Sequence, residues 1–174
     1  MDDKNRYAIA VGHVALEWNL LEHDLQRLGG RYLSIDDDVT AHIFAFLGNA
    51  SRIDFIRYLV DKFEKDQRAC EHIAHFLDIY NRLRANRNVV EHGMPAVTPS
   101  GVYLDRIIKI GRRGEEMPFA APLPSLDNLL KDLATTRGYA SAIEECADNG
   151  DFDSLAKPPM PARLKNLAHS HDGH

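Results

Sequence analysis

The chain has 174 residues, 44% of them hydrophobic, and a formal charge of −5. That is enough apolar material for one domain with a core, and the net acidity excludes a protein that coats nucleic acid non-specifically by neutralising phosphates. No apolar run approaches the roughly 20 residues of a membrane span, the first residues lack a basic stretch with a cleavage site, and the only cysteines, Cys70 and Cys146, form no CxxC pair and are expected reduced and half-buried in a cytoplasmic protein.

Ala8, Val11, Ala15, Trp18, Leu21, Leu25 and Leu28 recur at three- and four-residue steps and predict a helix over 4–28, closed by Gly29-Gly30. A short helix over 36–47 is opened by Asp36-Asp37-Asp38, which suit the positive end of a helix dipole, and closed by Gly48. Ser51 is the candidate N-cap of a third helix running to about residue 65. A fourth helix is predicted over 67–92 from Ile73, Phe76, Leu77, Tyr80, Leu83 and Val90, with Gly93 and Pro95 as stops. Residues 95–110 then read as a β-hairpin around Pro99-Ser100-Gly101, 111–124 as a loop, and Ser125 opens a fifth helix to about 147. The expected architecture is an all-α antiparallel bundle of about five helices, spanning 1–148, with a small hairpin after the fourth. Residues 149–174, with several prolines and a terminal HSHDGH, are expected to form a flexible tail.

The chemistry concentrates in Arg87-Asn88-Val89-Val90-Glu91-His92-Gly93. A guanidinium can clamp phosphate oxygens, and an imidazole near neutral pH can move a proton beside them. Metal-free RNA cleavage needs those two functions: a group that takes or gives protons and donors that meet growing negative charge. Asn88 lies four residues before His92 on the same helix face, where its amide could orient the imidazole or bind a phosphate oxygen. Arg87 and His92 stand about 140° apart around the helix, and Glu91, four residues after Arg87, is a competing ion-pair partner. Arg84 and Glu91 complete the candidate substrate-binding positions, while Trp18 and Glu22 on the first helix are candidate structural support. One copy supplies one histidine, so acid and base roles on opposite sides of a scissile bond call for a homodimer with paired motifs.

Arg87-Asn88-x-x-x-His92 resembles the Arg-x(4–6)-His signature of the HEPN (higher eukaryotes and prokaryotes nucleotide-binding) superfamily, and Trp18-Asn19-Leu20-Leu21-Glu22 is similar to the opening helix of several bacterial HEPN-like proteins. The resemblance covers roughly residues 5–148. It implies a helical bundle, a dimer with facing motifs and, in active members, a metal-independent endoribonuclease working as a toxin or in phage defence. By that likeness Arg87 and His92 are catalytic and Asn88 supports them, with RNA as substrate and an antitoxin or regulatory protein as a further partner. Some toxin members carry a modified tyrosine two residues after the histidine, and here Met94 stands there instead.

A non-catalytic HEPN-like dimer that binds a nucleotide or a protein is the rival reading, and the acidic net charge favours it. As a structural residue Arg87 would pair with Glu91, or cross to Glu17 or Glu22 on the first helix and tie the bundle together, and His92 would cap the helix dipole. Glu71-His72-x-x-His75 is not the HExxH order and reads as a solvated helix face, and His169, His171 and His174 lie in the tail. No metal or other cofactor is expected. Arg106, Lys109, Arg112 and Arg113 read as surface charge that would guide an RNA backbone if a dimer cleft opened beside them.

Overall fold

The computed structural model describes residues 2–98 and 101–167, with 97–98 and 101–104 as backbone alone. Among the described residues the chain forms α1 (Asp3–Leu33), α2 (Asp37–Phe46), α3 (Asn49–Phe63), α4 (Gln67–His92), β1 (Met94–Thr98), β2 (Gly101–Ile110), β3 (Glu116–Ala120) and α5 (Leu123–Asn149). It is mostly helical, and the strands make one antiparallel sheet in the order β1-β2-β3. The expectation of an all-α chain with a two-stranded hairpin is therefore corrected. Residues 116–120 are a third strand, although Pro118 makes them read as loop. The Leu167 N–H donates to the Pro118 carbonyl at 2.8 Å, and the Ala120 N–H donates to Lys165 O at 2.9 Å. Positions 118 and 120 thus turn their backbone groups towards the C-terminal segment, so the missing proline N–H costs the β2 ladder nothing.

Other boundaries move for similar long-range reasons. Gly29 and Gly30 lie inside α1 rather than ending it. A Cβ at Gly29 would stand 2.5 Å from the Phe44 ring, and one at Gly30 would stand 3.1 Å from the Thr40 methyl, so both glycines let α2 approach. The helix ends instead at Ser34, which has a positive φ of 52°. In α2, the Asp36 side chain accepts from the Asp38 N–H, as an N-cap should. Ser51 falls within α3, whose N-cap is Gly48 without a side-chain bond. The Pro99-Ser100 turn and His169, His171 and His174 lie outside the described residues.

Two compact units are built from these elements. One comprises residues up to Trp18, Arg82–Leu133 and the segment from Pro161. Its buried positions on α1 are Tyr7, Ala10, Val14 and Trp18. The inward face is thus turned by one residue from the expected Ala8-Val11-Ala15 line, because larger side chains are available at 7 and 14. Leu83, Val89 and Val90 of α4, Ile107 of β2, and Leu126, Leu129 and Leu133 of α5 add to that core. The second unit comprises Asn19–Asn81 and Ala134–Met160. There Glu22–Arg52 and Tyr32–Glu64 join α1 to α3, and Asp24–Arg137, Arg27–Glu144 and Arg31–Asp148 join α1 to α5. Both series ascend together, so α3 and α5 run parallel to α1 in this unit, and α4 runs against α3.

The segment after Asn149, expected as a flexible tail, carries specific contacts. Phe152 stacks on His72 at 5.6 Å between ring centres, and the Pro158 carbonyl lies 2.7 Å from His75 Nε2. In the other unit, Asn86 donates to Ala162 O at 2.7 Å and accepts from the Leu164 N–H at 3.0 Å.

Candidate functional site

The last turns of α4 hold the Arg87–Gly93 motif. Its end is set by Gly93, where a Cβ would stand 1.9 Å from Ile107 Cγ2 and 2.5 Å from Val89 O, so only glycine lets β2 pass this close. The chain then leaves the helix directly into β1, and Met94 pairs with Ile108.

Arg87 turns onto its own chain. Its Nη2 forms an ion pair with Glu91 Oε2, Nη1 donates to Asn88 Oδ1 at 3.3 Å, and Cζ lies 5.5 Å from the centre of the Trp18 ring. Trp18 is fully buried, and the Arg87 and Glu91 side chains are only 19% and 17% exposed. Arg87 Nε and Glu91 Oε1 are buried without a hydrogen-bond partner among the described residues. A guanidinium over an indole face, with a carboxylate at i+4, is a strong local arrangement. It spends on Glu91 the charge that a phosphate clamp would offer to substrate.

His92 is exposed at the helix end and makes no hydrogen bond or ion pair with Arg87 or Asn88 among the described residues. The structure thus gathers Arg87, Asn88, Glu91 and Trp18 but leaves His92 apart from them. Arg84 is half-buried on the same helix. Glu22, offered by the sequence as a partner for Arg87, pairs with Arg52 at 3.3 Å in the other unit.

Beside the motif lies a groove of about 450 Å³ lined by Lys4, Tyr7, Ala8, Val11, Val90, Glu91, Gly93, Pro95 and Ile107. It is mostly apolar. Burial, with Asp105 nearby, pushes the Tyr7 hydroxyl up to about 12. Met94, between two lining residues, is 64% exposed.

The Glu71–His75 stretch is corrected from a solvated face to a partly buried cluster. His72 is 7% exposed, its Nδ1 lies 2.7 Å from the Tyr139 hydroxyl, and its ring is stacked on Phe152. Burial first, and then Lys157, hold the imidazole below its ordinary range. The sequence held a signal for this, since His72, Phe76 and Tyr80 share one helical line. Cys70 and Cys146 are free thiols of intermediate burial, and burial raises both above the usual thiol range. Among the described residues no three His, Cys, Asp or Glu side chains form a group that could hold a metal ion. No helix among them is long and apolar enough to cross a membrane.

Sequence reasoning missed Asn86, an amide only 5% exposed in mid-helix. Nothing local marks it, because its partners are 76 and 78 residues away. Comparison with protein-family models, curated proteins and solved structures finds no match to this chain.

Proposed function

We propose that the chain is a cytoplasmic, homodimeric helical protein of HEPN type in which the 87–93 helix end is a binding and assembly surface rather than a nuclease centre. The observation that carries this reading is the position of Arg87. Its guanidinium is neutralised by Glu91 and laid over buried Trp18, so it is committed to the protein's own interior. The adjoining groove is mostly apolar and Met94 beside it is exposed, which supports the docking of a second copy there across a two-fold axis.

RNA cleavage is the second reading, and the exposure of His92 favours it. An imidazole at a helix end with both nitrogens open can exchange protons with a substrate. In that reading a phosphate must displace Glu91 from Arg87. Transfer RNA and other RNA incubated with pure protein in EDTA separate the two. The binding reading expects no cleavage by the natural chain or by Glu91→Gln. Metal-independent cleavage that disappears in His92→Ala overturns it and establishes the nuclease. Sedimentation tests the assembly: a dimer is expected, weakened by Met94→Glu, and a monomer at all concentrations removes the docking claim.

A further inference from the structure

In the unit that carries the sheet, a second cavity of about 210 Å³ opens among Asn86 of α4, the first turns of α5 and residues 162–165. Besides Asn86, four donor-bearing side chains line it: Ser125, Asn128, Arg163 and Lys165. None of these four has a side-chain hydrogen bond or ion pair among the described residues. The segment bearing the two cations is pinned on both sides of Arg163. Asn86 holds Ala162 O at 2.7 Å and the Leu164 N–H at 3.0 Å, and Lys165 O accepts from Ala120 at 2.9 Å. Arg163 and Lys165 are two apart in the sequence and both line this cavity.

A buried amide is thus used to fix a segment whose two exposed cations have no side-chain hydrogen bond or ion pair among the described residues. The cavity also contains one carboxyl, Asp132, whose ionised form accepts hydrogen bonds. We propose that this cavity binds a phosphate group carried on a phosphomonoester, with Arg163 and Lys165 taking its charge, Ser125 and Asn128 donating to its oxygens, and Asp132 facing an oxygen that still bears a proton. Fully ionised sulfate has no proton to offer Asp132, so the site discriminates against it. None of residues 87–93 lines this cavity, and the proposal does not depend on either reading of them.

The phosphate could belong to a small phosphorylated molecule or to the 5′ end of an RNA, and the assay distinguishes them. Isotope-labelled full-length protein is titrated by NMR with inorganic phosphate, sulfate, 5′-UMP, and short oligouridylates with and without a 5′-phosphate. Saturable shifts centred on residues 125–132 and 162–165 are expected with phosphate, with sulfate at least about tenfold weaker, a difference of about 1.4 kcal/mol. Arg163→Ala with Lys165→Ala, both at exposed positions, should weaken phosphate at least about tenfold without lowering the melting temperature. UMP binding as tightly as the phosphorylated oligomer assigns a small ligand; tighter oligomer binding that needs the 5′-phosphate assigns an RNA end. Failure to saturate by about 20 mM phosphate, well above the millimolar range that a weak specific site reaches, overturns the proposal. So does equal binding of sulfate, or a double variant that titrates like the natural chain.

Discussion

Arg87→Ala tests whether the motif arginine belongs to the fold. Removing the guanidinium leaves Glu91, 17% exposed, without its cation. Breaking a fully buried pair costs about 3–5 kcal/mol and an exposed pair below about 1, so this mostly covered pair is worth about 1–2. The cation over the buried Trp18 ring contributes about 1 kcal/mol more, and the arginine stem packed there about 0.5. The total is about 3 kcal/mol, which for a chain of this size lowers the melting temperature by about 6–10 °C. Glu91→Gln keeps the shape and loses only the charge attraction, so it should cost about 1 kcal/mol. In a double-mutant cycle Arg87→Ala and Glu91→Ala should couple by at least about 1 kcal/mol, because each removes the other's partner. The assay is thermal unfolding followed by circular dichroism, with urea midpoints as a second measure. If Arg87→Ala melts within about 1 °C of the natural chain, the ion pair and ring contact do not hold the fold, and Arg87 returns to the candidate substrate site.

Three further outcomes follow from the same geometry. His72 is held neutral by burial, below its ordinary value of 6.5, so its contribution is complete above that value and is lost as pH falls from there towards the folded value. The natural chain should lose melting temperature between about pH 7 and about pH 5 more steeply than His72→Gln, and equal slopes would remove the buried-imidazole account. Gly93→Ala forces a methyl to within 1.9 Å of Ile107 Cγ2 and should cost at least about 2 kcal/mol in a urea melt, of which Ile107→Ala in the same chain should return part. Asn86→Ala leaves the Ala162 carbonyl and the Leu164 N–H without their amide partner, so hydrogen exchange at Leu164 should quicken by about tenfold while α4 keeps its protection.

The helices were legible where the signal is local. Six apolar residues at helical spacing and the Gly93–Pro95 stop give α4 its two ends, Gln67 and His92. The errors fall where one residue answers to a distant one. Gly29 and Gly30 look like a helix stop, but they are small because Phe44 and Thr40 press against them. Pro118 looks like a strand breaker, but its side of β3 faces residue 167 rather than β2. His72 looks solvated only while Phe152 and Tyr139 are out of view. At the candidate site, the i to i+4 spacing already named Glu91 as a rival for Arg87. No periodicity could announce Trp18 beneath the same guanidinium, because that contact joins residues 69 positions apart in the sequence.

The pairing of Arg87 with Glu91 also limits how the two functional readings can be combined. A phosphate that competes for the guanidinium, which lies over an indole, must replace a mostly buried carboxylate held at i+4. Charge-assisted bonds to phosphate are no stronger in kind than those to carboxylate, so a single phosphate gains little by the exchange and leaves Glu91 bare. The exchange becomes favourable only if Glu91 acquires another partner at the same time. Lys4 and Tyr7 line the groove with Glu91 but make no hydrogen bond or ion pair to it among the described residues, and a second copy docking there is a surface that can supply the missing donor. If the chain cleaves RNA at all, cleavage should therefore rise with dimer concentration, and Glu91→Gln should relieve that dependence. Activity that is independent of protein concentration across the dimer transition would break the link between assembly and the release of Arg87.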